Sequence, residues 1–159
     1  MRPDFLSFAS ESLRSCEAQS LIVSLNAELS ALYPEAGATH FRLDEEEVAP
    51  GRGVFLIGRR GGVPICCGAL RTLDESTAEL KRMFVVPAER RRGVGRALLE
   101  ALTAQARDLG RTRLVLETGV RQREAIALYS SYGFQRVPLY GEYLGSSLSV
   151  CMALDMPRK

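Results

Sequence analysis

Arg90-Arg91-Arg92-Gly93-Val94-Gly95-Arg96-Ala97-Leu98-Leu99 joins a cluster of guanidinium groups and two glycines to the start of an amphipathic helix. Such a junction suits an anion. The first turn of a helix leaves backbone N–H groups without intrahelical partners and carries partial positive charge, so a phosphate there accepts several hydrogen bonds at once. Gly93 and Gly95 remove the side chains that would hold a diphosphate away from the backbone. Arg90, Arg91, Arg92 and Arg96 can each add a charge-assisted contact worth about 1.5–3 kcal/mol when well placed. Val94, Ala97, Leu98, Ala101, Leu102 and Leu109 form one apolar stripe, and Gly110 is available as the helix stop. Taken alone, the ten residues also read as an exposed basic turn that caps an ordinary helix.

Two common phosphate loops are excluded. Leu98 stands where a dinucleotide fingerprint needs its third glycine, and no Gly-Lys-Ser/Thr sequence occurs in the chain. What remains is Arg-x-x-Gly-x-Gly, preceded by the strand-like Glu79-Leu80-Lys81-Arg82-Met83-Phe84-Val85-Val86-Pro87. This arrangement resembles the coenzyme-A-binding motif of the GNAT superfamily, the acetyl-CoA-dependent N-acetyltransferases. The resemblance implies that Arg90, Arg91, Arg92, Gly93, Val94, Gly95 and Arg96 cradle the diphosphate of acetyl-CoA. It also implies that the preceding strand splays from its neighbour, so that backbone groups of Met83, Phe84 and Val85 pair with the pantetheine arm. A peptide N–H of that strand would polarise the thioester carbonyl. As plain sequence, Met83, Phe84 and Val85 are core strand residues, which is compatible with both roles.

A second constellation runs Glu117-Thr118-Gly119-Val120-Arg121-Gln122-Arg123-Glu124-Ala125-Ile126-Ala127-Leu128-Tyr129, followed by Tyr132-Gly133-Phe134. Ala-Ile-Ala-Leu-Tyr-x-x-x-Gly-Phe is similar to the fourth-helix signature of the same family, in which the tyrosine is the general acid facing the coenzyme sulfur. Tyr129 holds that position. A phenol of ordinary pKa about 10 is protonated at neutral pH and can donate to a departing thiolate. Periodicity alone makes Tyr129 a partly buried aromatic with a polar tip. Gln122 stands where many relatives carry asparagine, which puts any coenzyme hydrogen bond from that position in question.

An acceptor amine is mostly protonated at neutral pH, so a base or a water relay must take a proton. Glu79 matches the strand glutamate used as base by histone-type acetyltransferases, and Glu117 matches the base position of ribosomal-protein N-terminal acetyltransferases. Either could instead be a solvated strand residue or an arginine partner. The resemblance places the acceptor pocket near Glu28, Tyr33 and His40 and at Leu139-Tyr140-Gly141-Glu142-Tyr143. A peptide N-terminus, a lysine side chain, an amino acid, a small polyamine and a non-amine acceptor all stay open.

The whole chain narrows these readings. Its 159 residues suit a single domain over 1–159, and 46% hydrophobic with 25% charged residues describes a soluble globular protein. A net charge of +2 makes the arginines at 90–92 a local feature and argues against a nucleic-acid partner. Cys16, Cys66, Cys67 and Cys151 have no C-x-x-C spacing and His40 is the only histidine, so neither a metal site nor a redox motif is supported. The thiols are expected to be buried or inert. No apolar run approaches membrane-spanning length, and the expectation is a cytoplasmic protein, with a homodimer left open.

Along the chain we expect an edge strand near residues 5–8, a helix over 15–33 ended by Pro34, and a short acidic helix at 44–47. Strands 54–59 and 64–73 form a hairpin through Arg60-Gly61-Gly62. Then come strand 78–86, the helix from Gly93, strand 113–117, helix 122–132, and strands 134–137 and 148–154. The expected fold is mixed α/β, GNAT-like, with a mixed, mostly antiparallel sheet of six to seven strands flanked by about four helices. The expected function is acetyl transfer from acetyl-CoA to an amine, without metal or covalent enzyme intermediate. The alternatives are a catalytically silent acyl-CoA-binding sensor and a nucleic-acid-binding module using Arg90, Arg91 and Arg92.

Overall fold

Gly61 and Gly62 take φ values of 58° and 85° and close a two-residue hairpin turn, a reversal that needs positive φ at both positions. In the computed structural model, which describes residues 5–37 and 42–157, that hairpin lies within a seven-stranded sheet. Its strands are β1 (Leu6–Ser10), β2 (Gly53–Arg60), β3 (Val63–Thr72), β4 (Thr77–Val85), β5 (Arg113–Gly119), β6 (Gln135–Val137) and β7 (Ser149–Asp155). Their order is β1-β2-β3-β4-β5-β7-β6, and only β4 and β5 pair in parallel.

Three α-helices cover the sheet: α1 (Cys16–Leu32), α2 (Val94–Asp108) and α3 (Arg123–Tyr132). The expected count of about four is therefore corrected to three among the described residues. The acidic segment forms only a 3-10 turn, Glu45–Val48, with no buried residue. Three adjacent glutamates offer it no apolar face, and so short a helix has little stability without tertiary packing. His40 lies outside the described residues.

Side chains of each strand alternate between two cores. On one face, Leu56, Leu70, Ala78, Leu80, Leu114, Leu116 and Met152 pack with Leu98, Leu99 and Leu102 of α2 and Tyr129 of α3. On the other, Phe55, Ile57, Cys67, Ala69 and Phe84 pack with Ala18, Leu21 and Leu25 of α1. Leu32, at the end of α1, is 38% exposed. Cys66, Cys67 and Cys151 are buried as expected, whereas Cys16 is exposed.

Two irregularities in β4 shape the functional end of the sheet. Cys67 pairs with Phe84 and Ala69 with Lys81, so Arg82 and Met83 together oppose the single residue Gly68. Arg82 adopts φ 57° in this bulge. The second irregularity is on the other side of the strand. Pairing of β4 with β5 runs from Thr77 opposite Arg113 to Leu80 opposite Leu116 and stops there, although both strands continue. From Lys81 onward the two strands part, and the backbone of β4 has an open edge.

Candidate active site

A recess of about 80 Å³ opens where β4 and β5 separate, lined by Leu25, Leu29, Leu80, Lys81, Arg82, Met83, Leu116, Glu117, Thr118, Gln122, Tyr129 and Tyr143. Tyr129 comes to it from α3 on one face of the sheet. Glu117 follows Leu116 on β5, so by alternation it projects to the α1 face and reaches the same gap from the other side.

The Tyr129 hydroxyl donates to the Met83 Sδ at 3.8 Å, a weak acceptor. Burial, reinforced by the negative charge of Glu117, pushes its pKa up to about 12. The phenol is therefore a firm proton carrier at neutral pH. Phe134 meets its ring edge-on at 5.9 Å, and the glycine of the same motif, Gly133 at φ 121°, ends α3 so that Phe134 can turn back. Glu117 Oε2 accepts from the Ser149 hydroxyl at 2.6 Å, which fixes the carboxylate against β7.

Glu79 stands elsewhere. It is fully buried and outside the lining of the recess, with one oxygen accepting from Arg71 Nε at 2.7 Å and the other from the Tyr140 hydroxyl. Arg71 also binds Glu47 at 2.6 Å. Cross-strand register explains the pair, since Arg71 faces Glu79 directly on adjacent strands. Period-two alternation in the hairpin could have found it.

The phosphate loop divides into bracing and exposed arginines. Arg90 donates to the Val85 carbonyl at 2.9 Å and to Glu28 at 2.7 Å, and stacks over Phe84. It thereby fixes the end of β4 to α1 and occupies one carbonyl of the strand edge. Arg92 binds the buried Glu89 at 2.7 Å, which Arg60 also binds at 2.8 Å. Arg91 and Arg96 point outward: Arg91 pairs at 3.0 Å with Glu124, both largely exposed, and Arg96 lies 3.9 Å from Glu100 and over the Tyr132 ring. Exposed pairs of this kind hold little energy and can exchange for a phosphate.

Arg91 at φ 63° and Gly93 at φ 80° turn the loop into the first turn of α2, where Val94, Gly95 and Arg96 present N–H groups beyond the reach of intrahelical acceptors. Gly93 faces open space. Gly95 does something the motif alone did not show. A Cβ there would lie 2.8 Å from Leu128 Cδ2, so this glycine lets α2 pack closely on α3.

Gln122 stands at the N-cap position of α3, and its Oε1 turns back to β5, accepting from the Gly119 N–H at 2.9 Å and the Thr118 hydroxyl at 3.3 Å. Its side-chain oxygen is thus committed to the β5–α3 corner. Tyr33 closes the far side of that corner, accepting from the Arg121 N–H at 2.9 Å. A Cβ at Gly119 would fall 1.8 Å from the Tyr33 hydroxyl, so only glycine fits there. Glu28 is spent on Arg90. Tyr143 enters the recess wall while Tyr140 packs against it edge-on at 5.3 Å.

Sequence reasoning missed Arg71, Lys81 and Arg82 as parts of this region. Lys81 is 7% exposed, and its carboxylate partner is Glu142 at 3.4 Å. Arg82 is also buried, bonds Asn26 of α1, and has its pKa lowered by that burial. Among the described residues no group of three or more His, Cys, Asp or Glu is placed to hold a metal ion, and no helix is long and apolar enough to cross a membrane.

A second, larger hollow of about 740 Å³ lies at the opposite end of the sheet, between β1, β2 and the C-terminal half of α2. It contains none of the motif residues.

Comparison with known proteins matches this geometry to a family. The sequence model of the acetyltransferase (GNAT) family matches residues 18–134. The chain is 41% identical over 133 residues to a protein named IAA acetyltransferase from Azospirillum brasilense, a match covering 83% of this chain and 86% of that one. Its fold superposes with a TM-score of 0.81 at 29% identity on a crystal structure described as an acyl-CoA N-acyltransferase from Klebsiella pneumoniae, covering 96% of this chain and 99% of the other. A GNAT-family acetyltransferase from Elizabethkingia anophelis, solved with acetyl-CoA bound, shares the fold with a TM-score of 0.70 at 17% identity, over 96% and 99% of the two chains.

Proposed function

The chain belongs to the acetyltransferase (GNAT) family, and from that premise we propose that it moves an acetyl group from acetyl-CoA to an amine nitrogen by direct attack, with Glu117 as base and Tyr129 as acid. One observation carries this reading: Glu117 and Tyr129 reach a single recess from opposite faces of the sheet, at the point where β4 and β5 part.

The residues present fit acetyl-CoA. The loop from Arg91 to Arg96 offers backbone N–H groups, one αL glycine open to solvent, and two guanidinium groups, those of Arg91 and Arg96, whose ion pairs are exposed. The edge of β4 beyond Leu80, which β5 does not pair, offers backbone donors and acceptors other than the Val85 carbonyl for an amide-bearing arm. Tyr129 directs its hydroxyl at a sulfur atom already, that of Met83. Acetyl-CoA brings the activated thioester.

This chain's own groups then do three things. The β4 edge and α2 N-terminus bind and align the donor. Glu117, steadied by Ser149, takes a proton from the acceptor ammonium. Tyr129 holds its proton to about pH 12 and is therefore available to give it to the departing sulfur at any physiological pH. Glu79 is assigned to structure, because both of its oxygens are occupied and it lies outside the recess lining.

The experiment is thiol release from acetyl-CoA with and without an amine, on the parent protein and on Glu117→Gln. The reading expects amine-dependent release that Glu117→Gln lowers by about 10²–10⁴-fold, while acetyl-CoA still raises the melting temperature of the variant. Equal rates would reassign the base to a water relay.

A further inference from the structure

Lys81 is an odd residue to find in the wall of a recess. Its side chain is 5% exposed, yet its carboxylate partner, Glu142, is 40% exposed and sits 3.4 Å away on a short surface turn. Charge-assisted N–H···O contacts close to about 2.7–2.9 Å when well made. A buried ammonium with three donors and one long contact retains capacity for a further anion. The neighbouring carboxylates have partners of their own: Glu79 is held by Arg71 and Tyr140, Glu47 by Arg71, and Glu117 accepts from Ser149.

Lys81 and Glu117 each come one residue after the last paired residues of β4 and β5, Leu80 and Leu116, and each projects to the α1 face. One cation and one anion therefore flank the gap across a strand spacing of about 5 Å that widens as the strands part. Arg82, on the same lining, adds a second positive charge.

We propose that the acceptor is an amine carrying its own carboxylate, that is, a free amino acid, bound with its nitrogen toward Glu117 and its carboxylate on Lys81. This deepens the acetyl-transfer reading of the same recess and rests on it. A polyamine would set a second cation against Lys81 and Arg82. A peptide N-terminus or a protein lysine side chain brings only a neutral amide to that position.

The step balances. One ammonium proton passes to Glu117 and on to solvent; the nitrogen lone pair forms the C–N bond as the C–S bond breaks. The second proton lost from nitrogen as the amide forms offsets the proton that Tyr129 gives to sulfur. The products are an N-acetyl amino acid and coenzyme A as its thiol.

The test uses matched pairs, each amino acid beside its C-terminal amide, together with a diamine, measured as kcat/KM on the parent protein, Lys81→Met and Lys81→Arg. The parent should prefer the free acids by roughly 10–100-fold, the range that one hydrogen bond to a charged group supplies. Lys81→Met should bring the acid-to-amide ratio to near one, and Lys81→Arg should keep it well above one. As a readout independent of turnover, an N-acetyl amino acid added with coenzyme A should raise the melting temperature more than its amide does. Amides or the diamine used as well as the acids by the parent protein overturn the proposal, as does a preference unchanged in Lys81→Met. Should Lys81→Met not fold, the parent ratio and the melting shifts still decide. Turnover of amides alone leaves acetyl transfer standing and the proposal refuted; turnover of no amine, with acetyl-CoA bound, refutes both.

Discussion

The hydroxyl of Tyr129 donates to the thioether sulfur of Met83 across 3.8 Å, linking α3 to the splayed end of β4. A phenol of raised pKa, buried and bonded to a soft acceptor, surrenders little when a different sulfur comes within reach.

Tyr129→Phe keeps the ring and its contact with Phe134 and removes only the proton donor. Turnover should fall by about 10²–10⁴-fold with acetyl-CoA affinity nearly unchanged. Pre-steady-state thiol release beside calorimetric binding measures both. Unchanged turnover, where chemistry limits the rate, would remove Tyr129 as the acid.

Glu79→Gln should act on folding first. The substitution leaves the half-buried Arg71 with Glu47 as its remaining carboxylate, and losing one hydrogen bond between charged groups costs about 1.5–3 kcal/mol. Urea denaturation should show the loss, while the pH dependence of kcat/KM in the surviving folded protein keeps its parent shape. A lost acidic limb without lost stability would instead make Glu79 the base.

The two halves of the site differed in how far they could be read from sequence. Arg-x-x-Gly-x-Gly and Ala-Ile-Ala-Leu-Tyr are local patterns, and helix starts, stops and apolar stripes follow from spacing within a few residues, so α2, α3 and the position of Tyr129 were legible. The bulge of Arg82 and Met83 against Gly68 depends on the register of another strand. The bond of Tyr140 to Glu79 spans 61 residues. Neither leaves a periodic trace. The choice between Glu79 and Glu117 was open for the same reason: both are strand glutamates, and only cross-strand partners separate an arginine-bound carboxylate from one at the gap.

Gly95 was read as clearance for a diphosphate, and the structure gives it a packing role beside that. Gly95→Ala should strain the contact with Leu128, while in a Leu128→Ala background the same change should be harmless or favourable, because alanine suits a helix better than glycine. The double-mutant cycle should return a coupling of about 1 kcal/mol. A coupling of zero would show that the helices do not meet there.

Alkaline pH should weaken the fold in a defined window. Burial raises Cys66 and Cys67 from an ordinary 9.0 to about 12, and burial with the charge of Glu117 raises Tyr129 from 10.0 to about 12. The unfolded chain therefore ionises first. Stability from these groups is intact below pH 9 and declines as pH rises toward about 12, since the native state then binds more protons than the unfolded one. The urea midpoint should drop between about pH 9 and about pH 12 with an unchanged m-value. A flat midpoint would contradict the burial of these groups.

Acetyl transfer to nitrogen is the claim on which the rest depends, and mass spectrometry of the reaction mixture tests it most directly. The parent protein is incubated with acetyl-CoA and a mixture of amines, and released thiol is counted beside acetylated amine. The account predicts one thiol for each amine that gains an acetyl group, and little thiol when amines are left out. Acetyl-CoA that stabilises the protein but yields no acetylated amine would contradict it, and would make the chain a binding protein built on a transferase fold.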